Sequence, residues 1–315
     1  MAHTHNEGSR AGRRCRPLSW RRVVITASAV LLMGVTASCG VDRATPDESA
    51  APASQIVVGA GDSAESRILA EIYAGALRTT GASVSTAHGL GARTDYLGEL
   101  DAGDVTVVPE LTGELLRYYN PRSTETEQDD VFEALSRSLP QGLSVSDFAS
   151  AEDRSVLAIT PETSTRLSLT ALEDLNPWCS TTTVVYAPSF EADALAGLSG
   201  CSFAQTRMAT DDAAAIAEVT APESADESVR LAGVTTASPD VAGADLVLLS
   251  DADHVFTAQN VVPLYRSGSL RESQVKAMNL VAGELTTADL ADMIGQVRDG
   301  ADSAGVARIW LDAHL

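Results

Sequence analysis

Three short segments of this chain set charged or hydroxyl side chains beside glycine: Gly61-Asp62-Ser63, Gly89-Leu90-Gly91-Ala92-Arg93-Thr94 and Glu110-Leu111-Thr112-Gly113. Glycine lets backbone N–H groups approach a ligand closely, and a helix beginning just after such a segment adds its own unpaired N–H groups. Asp62, Ser63, Arg93, Thr94, Glu110 and Thr112 offer carboxylate, guanidinium and hydroxyl groups, with Leu111 among them. Such a set suits non-covalent capture of a small polar or cationic solute. Catalytic patterns fare worse. Ser273 and Lys276 have the spacing of a serine nucleophile with a lysine partner, but Lys276 is the only lysine, so the accompanying Lys-Thr-Gly motif cannot exist. Asp251, Asp253 and His254 lack the second histidine or glycine-turned acidic loop of a divalent-metal site and read as a strand-end turn. His88 has no evident triad partner, and no nucleophile elbow, P-loop or dinucleotide fingerprint occurs. Neither an enzyme nor a cofactor or metal is expected.

The N-terminus sets the expected compartment. Arg10, Arg13, Arg14, Arg16, Arg21 and Arg22 form a basic head before an uncharged stretch, 23–38, that is short for a membrane span but suits a signal-peptide core. Ala37-Ser38-Cys39 then resembles a bacterial lipobox, with small residues at the cleavage point and a thiol to accept diacylglycerol. Residues 1–38 are expected to be a signal peptide, and lipid on Cys39 to hold the chain outside the cytoplasm at the cell membrane. The alternative is an ordinary signal peptide ending near a cysteine. Arg21-Arg22 leaves general and twin-arginine export both open. Of the four cysteines, Cys15 and Cys39 fall in or next to this leader, so Cys179 and Cys201 are expected to form a disulfide. The chain has 22 basic and 43 acidic residues; six arginines and Glu7 lie in 1–38, leaving a net charge near −26. Nucleic acid and anionic lipid surfaces would repel so acidic a chain. A monomer is expected.

The polar, period-free segment 39–55 reads as a flexible tether. Beyond it, apolar runs expected as strands (56–59, 83–87, 104–108) alternate with helical patterns at 63–80, 92–102 and 112–119. In the first helix Ile68, Leu69, Ile72, Tyr73, Ala76 and Leu77 recur at i, i+3, i+4 behind a cap at Asp62 or Ser63. Strands are expected again at 156–159, 182–185, 207–209, 229–235 and 246–249, and helices at 131–138, 191–198, 211–219, 271–282, 286–298 and 302–313. Such alternation with short links means parallel sheets with crossover helices, an α/β chain in two lobes. The three glycine-bearing segments each follow a strand and precede a helix, so they should converge on one cleft edge.

The block 57–119 and its motifs resemble the first lobe of the glycine betaine/choline/carnitine-binding proteins of osmoprotectant ABC importers. The likeness rests on Asp62-Ser63-Ala64-Glu65 at a helix start, Gly89-Leu90-Gly91 before the second helix, and Pro109-Glu110-Leu111-Thr112-Gly113 after the third strand. Leu246 to Asp251, Asn260-Val261-Val262-Pro263-Leu264 and Leu285 to Leu290 extend it over nearly all of 56–315. The resemblance implies a two-lobe periplasmic-binding-protein-like fold of type II, each lobe a mostly parallel sheet flanked by helices. It places the first lobe at 56–150 and 256–315 and the second at 151–255, with crossings near 144–155 and 250–261. It implies permease subunits as partners, and Ser155, Asp211, Thr235 and Thr236 as second-lobe positions lining the cleft.

The chain departs from that family in its rings. Leu111 stands where the motif usually carries Tyr, and no Tyr occurs near Ser155, near Asp211 or near Thr235-Thr236-Ala237. A quaternary ammonium is held by several aromatic faces, each contributing about 0.5–2 kcal/mol. Tyr96, Tyr118, Tyr119, Tyr186 and Tyr265 read as packing residues. The expected cleft is therefore polar, and its solute something other than betaine. The alternative class is a lipoprotein on the same fold that senses or assembles rather than transports.

Overall fold

A computed structural model describes residues 55–222 and 229–315; the expected leader, Cys39 and the tether through residue 54 lie outside them. The first stretch runs β1 (Ile56–Gly59), α1 (Ala64–Arg78), β2 (Val84–Ala87), α2 (Arg93–Ala102), β3 (Val107–Leu111), α3 (Thr112–Tyr119), α4 (Gln128–Ser138) and β4 (Leu143–Val145). A second stretch follows with β5 (Ser155–Ile159), α5 (Pro161–Leu167), β6 (Thr182–Tyr186), β7 (Gln205–Met208), α6 (Asp212–Thr220), β8 (Val229–Thr235), α7 (Pro239–Ala242) and β9 (Val247–Leu248). The chain ends with β10 (Val261–Arg266), α8 (Glu272–Glu284), α9 (Thr287–Arg298) and α10 (Ser303–His314).

Among the described residues these strands form two five-stranded sheets, ordered β2-β1-β3-β10-β4 and β7-β6-β8-β5-β9. In the first, β10 alone runs against its neighbours β3 and β4. In the second, β5 alone does so, against β8 and β9. Side chains alternate between two faces that are both buried, which is why the strands read as near-continuous apolar runs. Ile56, Val58 and Val107 face α1, α8, α9 and α10, while Val108, Val262 and Leu264 face the layer of α2, α3 and α4. In β5, Leu157 and Ile159 join a cluster with Phe190 and Phe256, and Val156 and Ala158 pack on the other side with Ala215 and Ile216 of α6. Each sheet is therefore covered on both faces.

The chain passes between the sheets twice, over 146–154 and 249–260, and the two passages pair with each other. Glu152 and Asn260 form an antiparallel bridge, flanked by Val261 N to Ala151 O at 2.9 Å and Asp153 N to Gln259 O at 3.0 Å. Two strands of backbone, rather than one, join the lobes.

The structure corrects several expected elements. The third strand lies at Val107–Leu111, not 104–108, so Pro109 and Glu110 belong to it rather than to a loop. Its antiparallel ladder with β10, which sets Glu110 opposite Val262 and Leu111 opposite Val261, draws them in. The helix expected over 191–198 is a six-residue 3-10 turn, Ala192–Gly197, too short to propagate as α-helix. The short elements β4, α5 and α7 were not expected, although Thr160 capping Pro161 is a helix-start signal. Asp251 closes the turn at 251–256 by accepting Val255 N and Phe256 N, each at 2.9 Å. Ser63, not Asp62, caps α1.

Cys179 and Cys201 form a disulfide with Cα atoms 5.3 Å apart, closing a loop of separation 22 beneath the second sheet. Replacing both with serine is expected to lower stability by about 3 kcal/mol. Chemical unfolding of the oxidised protein, read by circular dichroism, checks this; a loss well under 1 kcal/mol would mean the loop is already held by packing.

Candidate functional site

Backbone geometry brings the three glycine-bearing junctions together. Ser63 caps α1 by accepting Ser66 N at 3.0 Å, while Gly61 N donates to Ser66 Oγ at 2.8 Å, which folds the β1–α1 turn tightly. A Cβ on Gly61 would sit 2.9 Å from the Gly91 carbonyl oxygen, so the first two junctions pack backbone against backbone. Gly91 itself has φ +81°, a left-handed conformation that glycine adopts without strain. With β3 bringing in Pro109, Glu110 and Leu111, the junctions enclose a cavity of about 310 Å³ whose wall includes Asp62, Ser63, Glu65, Arg93, Tyr96 and Glu110. A larger groove, about 680 Å³, runs between α1 and α10 and shares none of these residues.

Glu110 is the best-held group in the cavity. Its side chain is 1% exposed, Arg93 Nε lies 3.0 and 3.2 Å from its two oxygens, and the Tyr96 hydroxyl donates to Oε1 at 2.7 Å. Leu111 N adds a fourth contact at 3.3 Å. Burial pushes the Glu110 carboxyl up, and the Arg93 charge, the Tyr96 hydroxyl and Leu111 N pull against it. For Arg93, burial favours the neutral form, yet the Glu110 charge and hydrogen bond carry the guanidinium above its ordinary value, so it stays charged. Burial also raises the Tyr96 hydroxyl, which the Glu110 charge raises further; it therefore stays protonated and able to donate. Arg93 continues outward to Glu114 at 3.0 Å, Arg117 meets Glu114 at 3.1 Å, and Arg117 reaches Glu191 of the second lobe at 2.8 Å.

Glu65 is the opposite case. It stands in the first turn of α1, and its Oε1 is shielded from solvent with no hydrogen-bond partner among the described residues. Burial, then the charges of Asp153 and Glu110, push its carboxyl up to about 8 despite the opposing Arg93. Asp153, in the first crossing, is raised chiefly by burial, against hydrogen bonds from Thr235 and Ala237 N, the latter at 2.9 Å. The charges of Asp212 and Glu152 raise Asp153 further. Asp212, at the start of α6, is likewise raised chiefly by burial, against a hydrogen bond from Ser238. The interlobe region is therefore rich in buried carboxylates.

Of the residues expected to touch solute, Asp62, Ser63, Arg93, Glu110 and Leu111 line the cavity. The others are placed differently. Thr94 is exposed on α2 outside the cavity wall. Thr112 is buried, its hydroxyl accepting Asn260 N at 3.0 Å. The Ser155 hydroxyl accepts Glu191 N at 2.8 Å, and Asp211 caps α6 through Ala214 N at 2.8 Å. Thr236 accepts Arg154 N at 3.0 Å and donates to Glu152 O at 2.9 Å, fastening the crossing, while Thr235 is buried beside Asp153. The Thr112 and Thr236 hydroxyls are committed to the crossing backbone, which needs partners where no sheet supplies them. Sequence reasoning missed Glu65 on the cavity wall and the charges of Asp153 and Asp212 behind it; Tyr96 packs in the first-lobe core, as expected, and also reaches the wall. Glu65 carried a signal in its place two residues after the Ser63 cap; Asp153 and Asp212 carried none. Among the described residues no cluster of three or more His, Cys, Asp or Glu is arranged to hold a metal, and no helix is long and apolar enough to cross a membrane.

The family described as "Substrate binding domain of ABC-type glycine betaine transport system" matches residues 54–313. The chain belongs to this family. Solved structures show the same two-lobe, periplasmic-binding-protein-like fold. Apo YehZ from Escherichia coli superposes with a TM-score of 0.68 at 22% identity, covering 83% of this chain and 99% of that one. A protein titled a glycine betaine/carnitine/choline ABC transporter gives 0.70 at 17% identity, covering 82% and 98%. No curated relative matches the sequence.

Keeping Glu65 protonated in the fold has a signed consequence. Its folded pKa lies above its unfolded one, so this group destabilises the native state increasingly as pH rises from about 4.5 toward 8. Glu65→Gln removes that burden. The variant is expected to melt above the parent at pH 8.5, by roughly 2–4 °C per kcal/mol relieved, and to match it near pH 4.5. A melting difference independent of pH would refute this.

Proposed function

We propose that this chain is the extracytoplasmic solute-capturing subunit of an ABC importer, tethered by lipid on Cys39 and handing its cargo to membrane permease subunits. One observation carries the reading: the three strand-to-helix junctions of the first lobe line one cavity with charged side chains. Ligands of open α/β sheets sit beyond the carboxyl ends of strands, where loops and helix starts supply donors. Two lobes joined by a paired ribbon of backbone can close over such a site. Asp62, Ser63, Arg93, Glu110 and Leu111 form the first-lobe wall, while Thr112, Ser155, Asp211, Thr235 and Thr236 hold the surfaces around the cleft. Thr94 lies at its rim.

The solute is a small polar or cationic molecule rather than glycine betaine. Tyr96 is the one ring among the described residues lining the cavity, and its hydroxyl is engaged by Glu110. A single ring gives a methylated ammonium little of the attraction that a multi-ring cage provides. Glycine betaine is expected to raise the melting temperature little or not at all, whereas the native solute at one hundred times its Kd stabilises by about 2.7 kcal/mol. Mass spectrometry of small molecules released from freshly purified protein identifies that solute. A chain that releases none, and that no solute panel stabilises, is not a capture protein. Micromolar calorimetric affinity for betaine would overturn the ligand assignment alone.

Anchoring is tested separately. Cys39→Ser is expected to abolish incorporation of labelled fatty acid and to shift the protein from the membrane to the soluble extracytoplasmic fraction. Unchanged membrane retention and labelling would refute the assignment of Cys39.

A further inference from the structure

We infer that the captured solute carries a cationic nitrogen with N–H donors, a primary or secondary ammonium or a guanidinium, and that the Glu65 carboxylate is its partner. The inference deepens the solute-capture reading and rests on it.

The argument starts from an oxygen with nothing to bond. Glu65 lies on the cavity wall, yet its Oε1 is shielded from water and has no donor among the described residues. A buried unpaired carboxylate oxygen is costly, and the cost is relieved by a donor arriving from outside. No neighbouring group meets it. Arg93 donates to Glu110 and Glu114, and the Tyr96 hydroxyl to Glu110. The Ser63 and Ser66 hydroxyls accept from Ser66 N and Gly61 N in the β1–α1 turn, and neither reaches Glu65 Oε1.

Charge points the same way. Across from Glu65 stand Asp153 of the first crossing and Glu110 of β3, against the single counter-charge of Arg93, with Asp62 exposed at the mouth. Asp212 of α6, on the other lobe, adds a further carboxylate whose charge acts on Asp153. An anion would meet net repulsion here. A quaternary ammonium carries charge but no N–H, so it would leave Glu65 Oε1 unsatisfied, and the cavity has no ring cage to compensate. An N–H-bearing cation supplies both the charge and the missing hydrogen bond, a charge-assisted contact.

A proton leaves when the cation enters. Burial, Asp153 and Glu110 outweigh Arg93 and push the Glu65 carboxyl up to about 8, which favours its protonated form at neutral pH. Binding a cation requires the carboxylate form, so the Glu65 proton passes to solvent and affinity rises with pH up to about 8.

Two methylation series test this on the purified protein by calorimetry: ethanolamine through its mono- and dimethyl forms to choline, and glycine through sarcosine and dimethylglycine to glycine betaine. Putrescine and agmatine extend the amine and guanidinium range. At least one N–H-bearing probe is expected to bind. Within a series that binds, the last methyl should weaken affinity tenfold or more. Affinity for the binding probe should rise about tenfold per unit between pH 6 and 7 and less steeply toward pH 8, with heats that depend on buffer ionisation. Glu65→Gln should weaken that probe at least tenfold and flatten the pH slope while melting no lower than the parent. A quaternary member binding tightest, no N–H-bearing probe binding, or a Glu65→Gln variant that binds unchanged would overturn the inference. If it falls while purified protein still releases a small molecule of another class, solute capture stands; if nothing is released either, both fall.

Discussion

Everything in this molecule turns on the pairing of the two segments that run between the sheets. Residues 149–153 and 259–261 hydrogen-bond to each other as a short antiparallel ribbon, with Ala149 N to Val261 O at 2.8 Å completing the set. Backbone crossing between two cores has no sheet to satisfy it, and unpaired buried N–H and C=O groups are costly. The ribbon meets this demand by self-pairing and by recruiting side chains. Asn260, 1% exposed, donates from its amide to Ala149 O at 3.0 Å, while its N–H reaches Thr112 at the start of α3. Thr236 does the equivalent for the second lobe. Both lobes are thus registered to the same few residues, and the β3–α3 junction that carries Glu110 is fixed by the same bonds.

From that junction a chain of alternating charge leads outward: Glu110, Arg93, Glu114, Arg117 and Glu191. Its two ends have different physics. Glu110 with Arg93 is buried at the carboxylate, so removing Arg93 strands the Glu110 charge in a poorly solvated place. Arg117 with Glu191 is solvent-accessible, the arginine side chain 49% exposed, and such pairs form and break at little net cost. Glu191 is also held by Thr257 N and Oγ1, each at 3.1 Å, in the second crossing. The inner pair is rigid and the outer one soft.

The cavity wall pairs one satisfied carboxylate with one unsatisfied. Glu110 has four contacts and serves to orient Arg93 and Tyr96; Glu65, on the neighbouring helix, has an oxygen with none. A fold ordinarily avoids such an oxygen, and one that persists beside a cavity is open to a donor arriving from outside. Family membership establishes substrate binding. The residues on the wall, not the family, decide which substrate.

Much of this was legible in the chain itself. Apolar runs alternating with amphipathic patterns at 56–119 declared parallel strands and crossover helices, because periods of 2 and 3.6 are local consequences of backbone geometry. The glycines at 61, 89 and 91 and the cap at Ser63 declared tight strand-to-helix turns for equally local reasons, and Cys179 with Cys201 were the only pair left to join. What the sequence could not declare depended on partners distant along the chain. β3 slid three residues to Val107–Leu111 because β10, some 150 positions later, pairs with it there. The crossing backbone engages the Thr112 and Thr236 hydroxyls, and Glu191 N engages that of Ser155. Glu65, Asp153 and Asp212 became a shared electrostatic environment only once two lobes and a crossing closed around them, since burial and proximity, which shift a carboxyl, are properties of the folded whole.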